Sequence, residues 1–369
     1  MSSNQLGPDY VRAIAPYQAG KPISEVAREF DLDEGKIIKL ASNENPRGMS
    51  PLARQAMLDA VADIGRYPDA NGFALKQAIA KRYGVPQEWI TLGNGSNDIL
   101  ELAAHAFVQS GESTVFSQYS FAVYALATQA VGGRCIAVPA QKFGHDLEAM
   151  RQAIASDTKL VFLANPNNPT GTFLPPAEIE AFLKSVPENV VVVIDEAYNE
   201  YLDPGLQYDS TEWVKQFPNL LVSRTFSKAH GLAGLRIGFG LAQPPVTDLL
   251  NRIRQPFNVN SLAQAAAIAA LNDAAFLQQS AKLNAAGYRQ LVQAFDELGL
   301  EYVQSFGNFV LVKVGNDDGA GARVNLALLK KGIIVRPVGG YGLPQWLRIS
   351  IGLPEENDAF IAALKEVLA

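Results

Sequence analysis

Val190-Val191-Val192-Val193-Ile194-Asp195-Glu196-Ala197-Tyr198 decides the fold of this 369-residue chain. Five consecutive β-branched residues read as a central strand buried on both faces, the pattern of a parallel sheet covered by helices. Asp195 stands where that strand ends. In open α/β sheets ligands bind outside the carboxyl ends of the strands, and a carboxylate there is costly unless a cation meets it. An aspartate that caps the following helix fits the same position when the segment is read alone.

The same pattern recurs on either side. Strands are predicted at residues 89–92, 114–116, 134–138, 160–164, 190–194, 220–223 and 237–241, with helical stretches such as 97–108 and 176–184 between most of them. This alternation predicts an α/β fold: a large domain with a mostly parallel seven-stranded sheet between helices. After Pro256 the pattern changes. An Ala-rich helix (261–271) and a long helical stretch (274–298) precede short strands near 309–314 and 347–351 and a closing helix at 355–368. These elements predict a smaller C-terminal α/β domain, so the chain divides at about 48–257 and 258–369.

Composition narrows the functional classes. A net charge of −6 without a basic cluster gives no reason to expect nucleic acid. Cys135 is the one cysteine, which excludes an intrachain disulfide and suits a reducing compartment. The three histidines (His105, His145, His230) are far apart in sequence, so no metal site is expected. No signal pattern or transmembrane-length apolar run is present, and a cytoplasmic location is expected.

Three segments carry chemistry. Ser223 to Arg236 reads Ser-Arg-Thr-Phe-Ser-Lys-Ala-His-Gly-Leu-Ala-Gly-Leu-Arg. It sets Lys228 directly after the hydroxyls of Thr225 and Ser227, with Arg236 beyond a glycine-punctuated stretch. That combination suits a lysine that reaches a carbonyl carbon while hydroxyls and a guanidinium hold a phosphate, the needs of pyridoxal 5'-phosphate. A surface lysine in a glycine-rich loop has the same local sequence. Asn165-Pro-Asn-Asn-Pro-Thr-Gly171 follows a buried-strand run and forms a tight turn. Gly93-Asn-Gly-Ser-Asn-Asp98 lies between a strand and a helix, so the N–H groups of Ser96 and Asn97, after Gly95, would point at an anion.

In this order, the segments resemble the fold-type I pyridoxal-phosphate enzymes. Lys39-Leu-Ala-Ser-Asn-Glu-Asn-Pro46, Arg66-Tyr-Pro-Asp69, Gly93-Asn-Gly-Ser96, Asn165 to Gly171 and Leu347-Arg-Ile-Ser350 are similar to the histidinol-phosphate aminotransferase family, from about Tyr17 to the C-terminus. The resemblance implies a fold-type I transferase whose N-terminal arm (1–47) packs with the small domain. It implies that Lys228 binds the cofactor as an imine and moves the substrate proton, and that Asp195 keeps the ring nitrogen protonated. Asn168 and Tyr198 would donate to the phenolate oxygen, and Tyr119 would stack on the ring. Arg348 and Arg336 would bind the substrate's anionic groups under Tyr17. Tyr67 would reach the cofactor phosphate of a partner subunit, which implies a homodimer. The family more often carries Gly-Ser-Asp-Glu where this chain has Asn97 and Asp98, so a side-chain role for Asn97 is not carried over.

The function so implied is transfer of an amino group between L-histidinol phosphate and 2-oxoglutarate in histidine biosynthesis. Its partners are small-molecule amino donors and 2-oxo acid acceptors, with neither nucleic acid nor membrane. An aromatic-amino-acid aminotransferase is the alternative. A phospho-amino-acid decarboxylase and a non-catalytic pyridoxal-phosphate-binding regulator rank below it; the residues before Tyr17 are too few for a helix-turn-helix.

Overall fold

A computed structural model describes residues 6–17 and 20–369. The first strand, β1 (Ile38–Lys39), belongs to a small ribbon taken up below. The next seven strands form one sheet: β2 (Ile90–Gly93), β3 (Ser113–Ser117), β4 (Arg134–Val138), β5 (Thr158–Ala164), β6 (Val191–Asp195), β7 (Leu220–Thr225) and β8 (Gly238–Ala242). They lie in the order β2-β8-β7-β6-β5-β3-β4, which puts β6 at the centre. All seven strands expected from the sequence are present.

Alternation of side chains divides this sheet between two cores. Val192, Ile194, Val161, Leu163, Leu220 and Val222 face one layer of helices. Val191, Val193, Leu160, Phe162 and Leu221 face the other. A strand apolar at every position can therefore sit only between two helical layers, as the Val190–Ile194 run implied. The pairs around β6 are parallel, whereas β8 runs antiparallel to both β7 and β2. A parallel return would need a crossover long enough for a helix. The chain between Thr225 and Gly238 instead makes an irregular loop, and that loop carries Lys228.

A second sheet packs at the C-terminal end. Its strands are β9 (Tyr302–Val303), β10 (Phe309–Lys313), β12 (Arg336–Pro337) and β13 (Trp346–Ser350), all antiparallel in the order β12-β13-β10-β9. Strand β11 (Ile333–Ile334) pairs in parallel with β1. The N-terminal arm thereby joins the smaller sheet region, where Val26, Ala27, Ile37 and Ala41 bury against Leu329 and Ile334. One helix departs from expectation. Ser261–Leu271, assigned from sequence to the smaller domain, buries Ala263, Ala266, Ala267 and Ala270 in the core of the large sheet. Its alanines let it lie close to the helix Pro51–Ala60, and the change of pattern at Pro256 precedes the change of packing. We propose that the division between domains falls after Leu271. Among the described residues, no helix is long and apolar enough to cross a membrane.

Gly231 fixes how the Lys228 loop meets the N-terminal region. Its φ is +71°, and a Cβ there would stand 1.9 Å from the carbonyl oxygen of Gly48. Backbone on one side and a left-handed conformation on the other leave no relief. Gly231→Ala is expected to destabilise the fold by about 2–4 kcal/mol, read as a lower midpoint in urea unfolding.

Candidate active site

The carboxyl ends of β5, β6 and β7 open onto a cavity of about 430 Å³. Ala164 and Pro166, Asp195 and Ala197, and Thr225, Ser227 and Lys228 supply its floor. Ser42 and Asn43 of the N-terminal arm and Arg336 and Arg348 of the smaller sheet close it from above. Ser96, Asn97, Asn168, Tyr198, Arg236 and Tyr17 line it too. Most of the residues singled out in the sequence therefore meet in one place.

Asp195 is the last residue of β6 and is buried. Burial pushes its carboxyl up to about 6, against the pull of two donors and of Lys228. Those donors are the Tyr124 hydroxyl, 2.9 Å from Oδ2, and the Ala197 N–H, 3.2 Å from Oδ1. Tyr124 is itself fully buried, its ring stacked on Phe162 at 4.6 Å and 3°. Lys228 donates from Nζ to the Ser42 carbonyl at 3.0 Å and lies 5.9 Å from the Tyr198 ring centroid. Burial, with Arg348 and Arg236 nearby, brings its amine down to about 8. The Tyr198 hydroxyl accepts from Asn43 Nδ2 at 3.0 Å, and burial pushes it up to about 12.

One side of the cavity is built for an anion. The helix Ser96–Phe107 begins here with no side chain capping its N-terminus, so its first N–H groups point outward unpaired. Arg236 lies over the same turn, donating from Nη1 to Ser227 Oγ at 3.3 Å. Gly95 makes this possible: a Cβ there would stand 2.3 Å from Arg236 Nη2. A Cβ on Gly238 would likewise meet the Ser96 nitrogen at 2.5 Å. Asp98 pins the turn through the Asn94 N–H (2.8 Å) and Asn258 Nδ2 (2.7 Å) and does not line the cavity. A helix N-terminus, two hydroxyls and a guanidinium suit a phosphate.

Arg336 and Arg348 are direct partners across the β12–β13 pair, so their side chains share a face. Both line the cavity. Arg348 is buried and donates to Asn168 Oδ1 (2.5 Å) and the Ala41 carbonyl (2.8 Å). Its pKa is lowered by burial, with Arg336 adding repulsion. The Arg336 guanidinium lies 5.4 Å from the Tyr17 ring and donates to its hydroxyl at 3.3 Å. Like charges directly opposite destabilise a sheet, and an anion between them would remove that penalty.

Two assigned residues lie elsewhere. Tyr119 is absent from the cavity wall: its ring packs on Phe143 at 6.0 Å, and its carbonyl accepts from Asn167 Nδ2 at 2.5 Å. The aromatic at the wall is Phe121, two residues on, at the start of the helix Ala122–Ala130. Tyr67 is 83% exposed and stacks on Phe257, outside its own cavity. Sequence reasoning also missed Tyr124, Asn43 and Tyr341. Asn43 lay within a quoted motif; nothing local marks the two tyrosines. His230 does not line the cavity; it packs against Phe226 in the wall of a separate cleft.

The chain matches the family of class I and II aminotransferases over residues 35–364. It is 70% identical over 363 residues to histidinol-phosphate aminotransferase 1 of Cupriavidus pinatubonensis, covering 98% of this chain and 96% of that one. Histidinol-phosphate aminotransferase 2 of Ralstonia nicotianae is 69% identical over 367 residues, covering 100% and 98%. The chain belongs to the histidinol-phosphate aminotransferase family. Among solved structures, that enzyme from Sinorhizobium meliloti in complex with pyridoxal-5'-phosphate superposes with a TM-score of 0.91 at 30% identity, covering 100% of this chain and 98% of that one. The protein is thus a pyridoxal-phosphate-dependent aminotransferase of fold-type I, and the glycine-lined anion cradle beside Lys228 fits the phosphate arm of such a cofactor.

Because the folded-state pKa of Asp195 lies above its unfolded value, the folded form binds the proton more tightly. This contribution to stability is present below about pH 4 and is lost as pH rises through about 6, on the order of 3 kcal/mol. Tyr124→Phe removes a donor that favours the anion. Urea unfolding of the cofactor-free variant is expected to show the decline extending to higher pH than in the parent.

Proposed function

We propose that the cavity transfers an amino group between L-histidinol phosphate and 2-oxoglutarate. The carrying observation is the opposed pair Arg336 and Arg348 on one face of the smaller sheet. Two guanidiniums that repel each other are well placed for a phosphate dianion or a carboxylate, each able to form paired, charge-assisted hydrogen bonds. The relatives described above act on such a substrate by name.

The residues divide the work. Pyridoxal phosphate, when bound, supplies an aldehyde carbon and a pyridinium ring that stabilises negative charge at the substrate α-carbon. Ser96, Asn97, Thr225, Ser227 and Arg236 would hold its phosphate, and Phe121 would cover the ring. Asp195, anionic at neutral pH, would hold a proton on the ring nitrogen. Asn168, its oxygen taken by Arg348, and Tyr198 would donate to the phenolate oxygen. With an amine near 8, Lys228 is partly neutral in the neutral range and can take the proton from the substrate α-carbon and return it. Tyr17 would cover the bound substrate beside Arg336.

The assembly is read as a homodimer. Leu52, Leu58, Val61, Ile64, Tyr67 and Phe73 expose large apolar side chains along one stretch of chain, with exposed Phe257 stacked on Tyr67. Large apolar side chains exposed together within one segment, two of them stacked at the surface, support an interface there. Tyr67 would reach from it into the partner's cavity. The cytoplasm is the proposed location.

Half-reactions followed by the cofactor's absorbance are expected to favour histidinol phosphate over phenylalanine. Arg336→Ala is expected to raise KM for histidinol phosphate about tenfold or more while moving phenylalanine little. Equal effects on both substrates would remove the phosphate contact. Sedimentation velocity is expected to give a dimer, and Tyr67→Ala a dimer that loses cofactor faster on dialysis. A fully active monomer would contradict the shared site.

A further inference from the structure

Lys39 lines the same cavity, and nothing in the function proposed above uses it. It ends β1, whose parallel register against β11 sets Lys39 opposite Ile334. Side chains two residues apart on a strand point the same way. The cores on either side show which way each residue faces: Ile37, Ala41 and Ile334 bury in one, and Leu40, Ile333 and Val335, with Ile38 packed against them, in the other, so Lys39 falls on the side of Ala41. Contacts at Gly20 join Ala41 to Arg336: a Cβ there would lie 3.7 Å both from the Ala41 Cβ and from Arg336 Nη1. The ribbon thus delivers a lysine to the wall that already holds Arg336 and Arg348. Its side chain is only 25% exposed, and Nζ is paired with Glu44 Oε1 at 2.9 Å. Glu44 is 44% exposed and close enough to Lys228 to support the charged form of that amine.

We propose that Lys39 is a third cationic contact for the distal phosphate of the substrate, with Glu44 as the counter-ion that holds it between turnovers. This rests on the reading of the substrate as a phosphate monoester. A dianion at the Arg336–Arg348 pair attracts the ammonium more strongly than a single, half-exposed carboxylate does, so Lys39 exchanges one partner for the other. An amino donor such as phenylalanine brings only a singly charged carboxylate, no stronger a partner than Glu44, and leaves the Lys39–Glu44 pair closed. The lysine, with Arg336, then separates phosphorylated from unphosphorylated substrates, whereas Arg348 also serves carboxylates.

The test compares Lys39→Met and Glu44→Gln in half-reactions with histidinol phosphate and with phenylalanine, together with thermal unfolding of each holoenzyme. Lys39→Met is expected to raise KM for histidinol phosphate about tenfold with kcat little changed, and to leave phenylalanine within about twofold. Glu44→Gln, which frees the lysine, is expected to lower KM for histidinol phosphate by about two- to fivefold. A structural ion pair makes the opposite forecast, since both variants break it and both would act in one direction on both substrates and on unfolding. Same-sign effects, or an unchanged KM for histidinol phosphate in Lys39→Met, overturn the proposal while leaving the substrate reading intact. A parent enzyme with no preference for histidinol phosphate overturns the substrate reading, and this inference with it.

Discussion

The buried carboxylate of Asp195 is the constraint around which the rest of the site is arranged. Placing it at the end of the central strand costs solvation that apolar neighbours cannot return. The fold answers with one tyrosine hydroxyl and one backbone N–H, and leaves the remaining compensation to a cation brought from outside. Every other element takes its position relative to that point. The Lys228 loop is the return from the neighbouring strand, the Asn165–Gly171 turn leaves the strand on the other side, and Tyr124 is held flat against Phe162 so that its hydroxyl meets the carboxylate.

Two sheets divide the chemistry. The large sheet carries the groups that would hold the cofactor, fixed by strands buried on both faces. The smaller sheet and the N-terminal ribbon carry Arg336, Arg348 and Lys39, which line the same cavity and would face the substrate's charge. Arg348 links the halves, one nitrogen on Asn168 and the other on the Ala41 carbonyl. A change in what Arg348 binds is therefore felt at an amide beside the cofactor position.

Much of this was legible in the sequence because the signals were local. The central strand reveals itself as an unbroken β-branched run, and the other six as short apolar segments alternating with helical stretches. The anion cradle showed in its glycines, whose missing Cβ atoms admit Arg236. Signals that depend on tertiary packing were not legible. The alanine-rich helix Ser261–Leu271 looks alike whichever core receives it, and only packing on Pro51–Ala60 assigns it. Tyr119 and Phe121 are both aromatic and two residues apart, and the turn from β3 into the next helix decides which reaches the wall. Tyr124 carries no local mark, because its partner is a strand distant in sequence.

The opposed arginines on β12 and β13 have a consequence for the enzyme at rest. Without substrate, two guanidiniums on one face would draw small anions from solution into a loosely held ionic atmosphere. Binding of an anionic substrate would release those ions, with a favourable entropy that shrinks as ionic strength rises. Any preference for a doubly charged phosphate over a singly charged carboxylate would then belong to the medium as well as to the protein, sharpest in dilute buffer and blunted in concentrated salt.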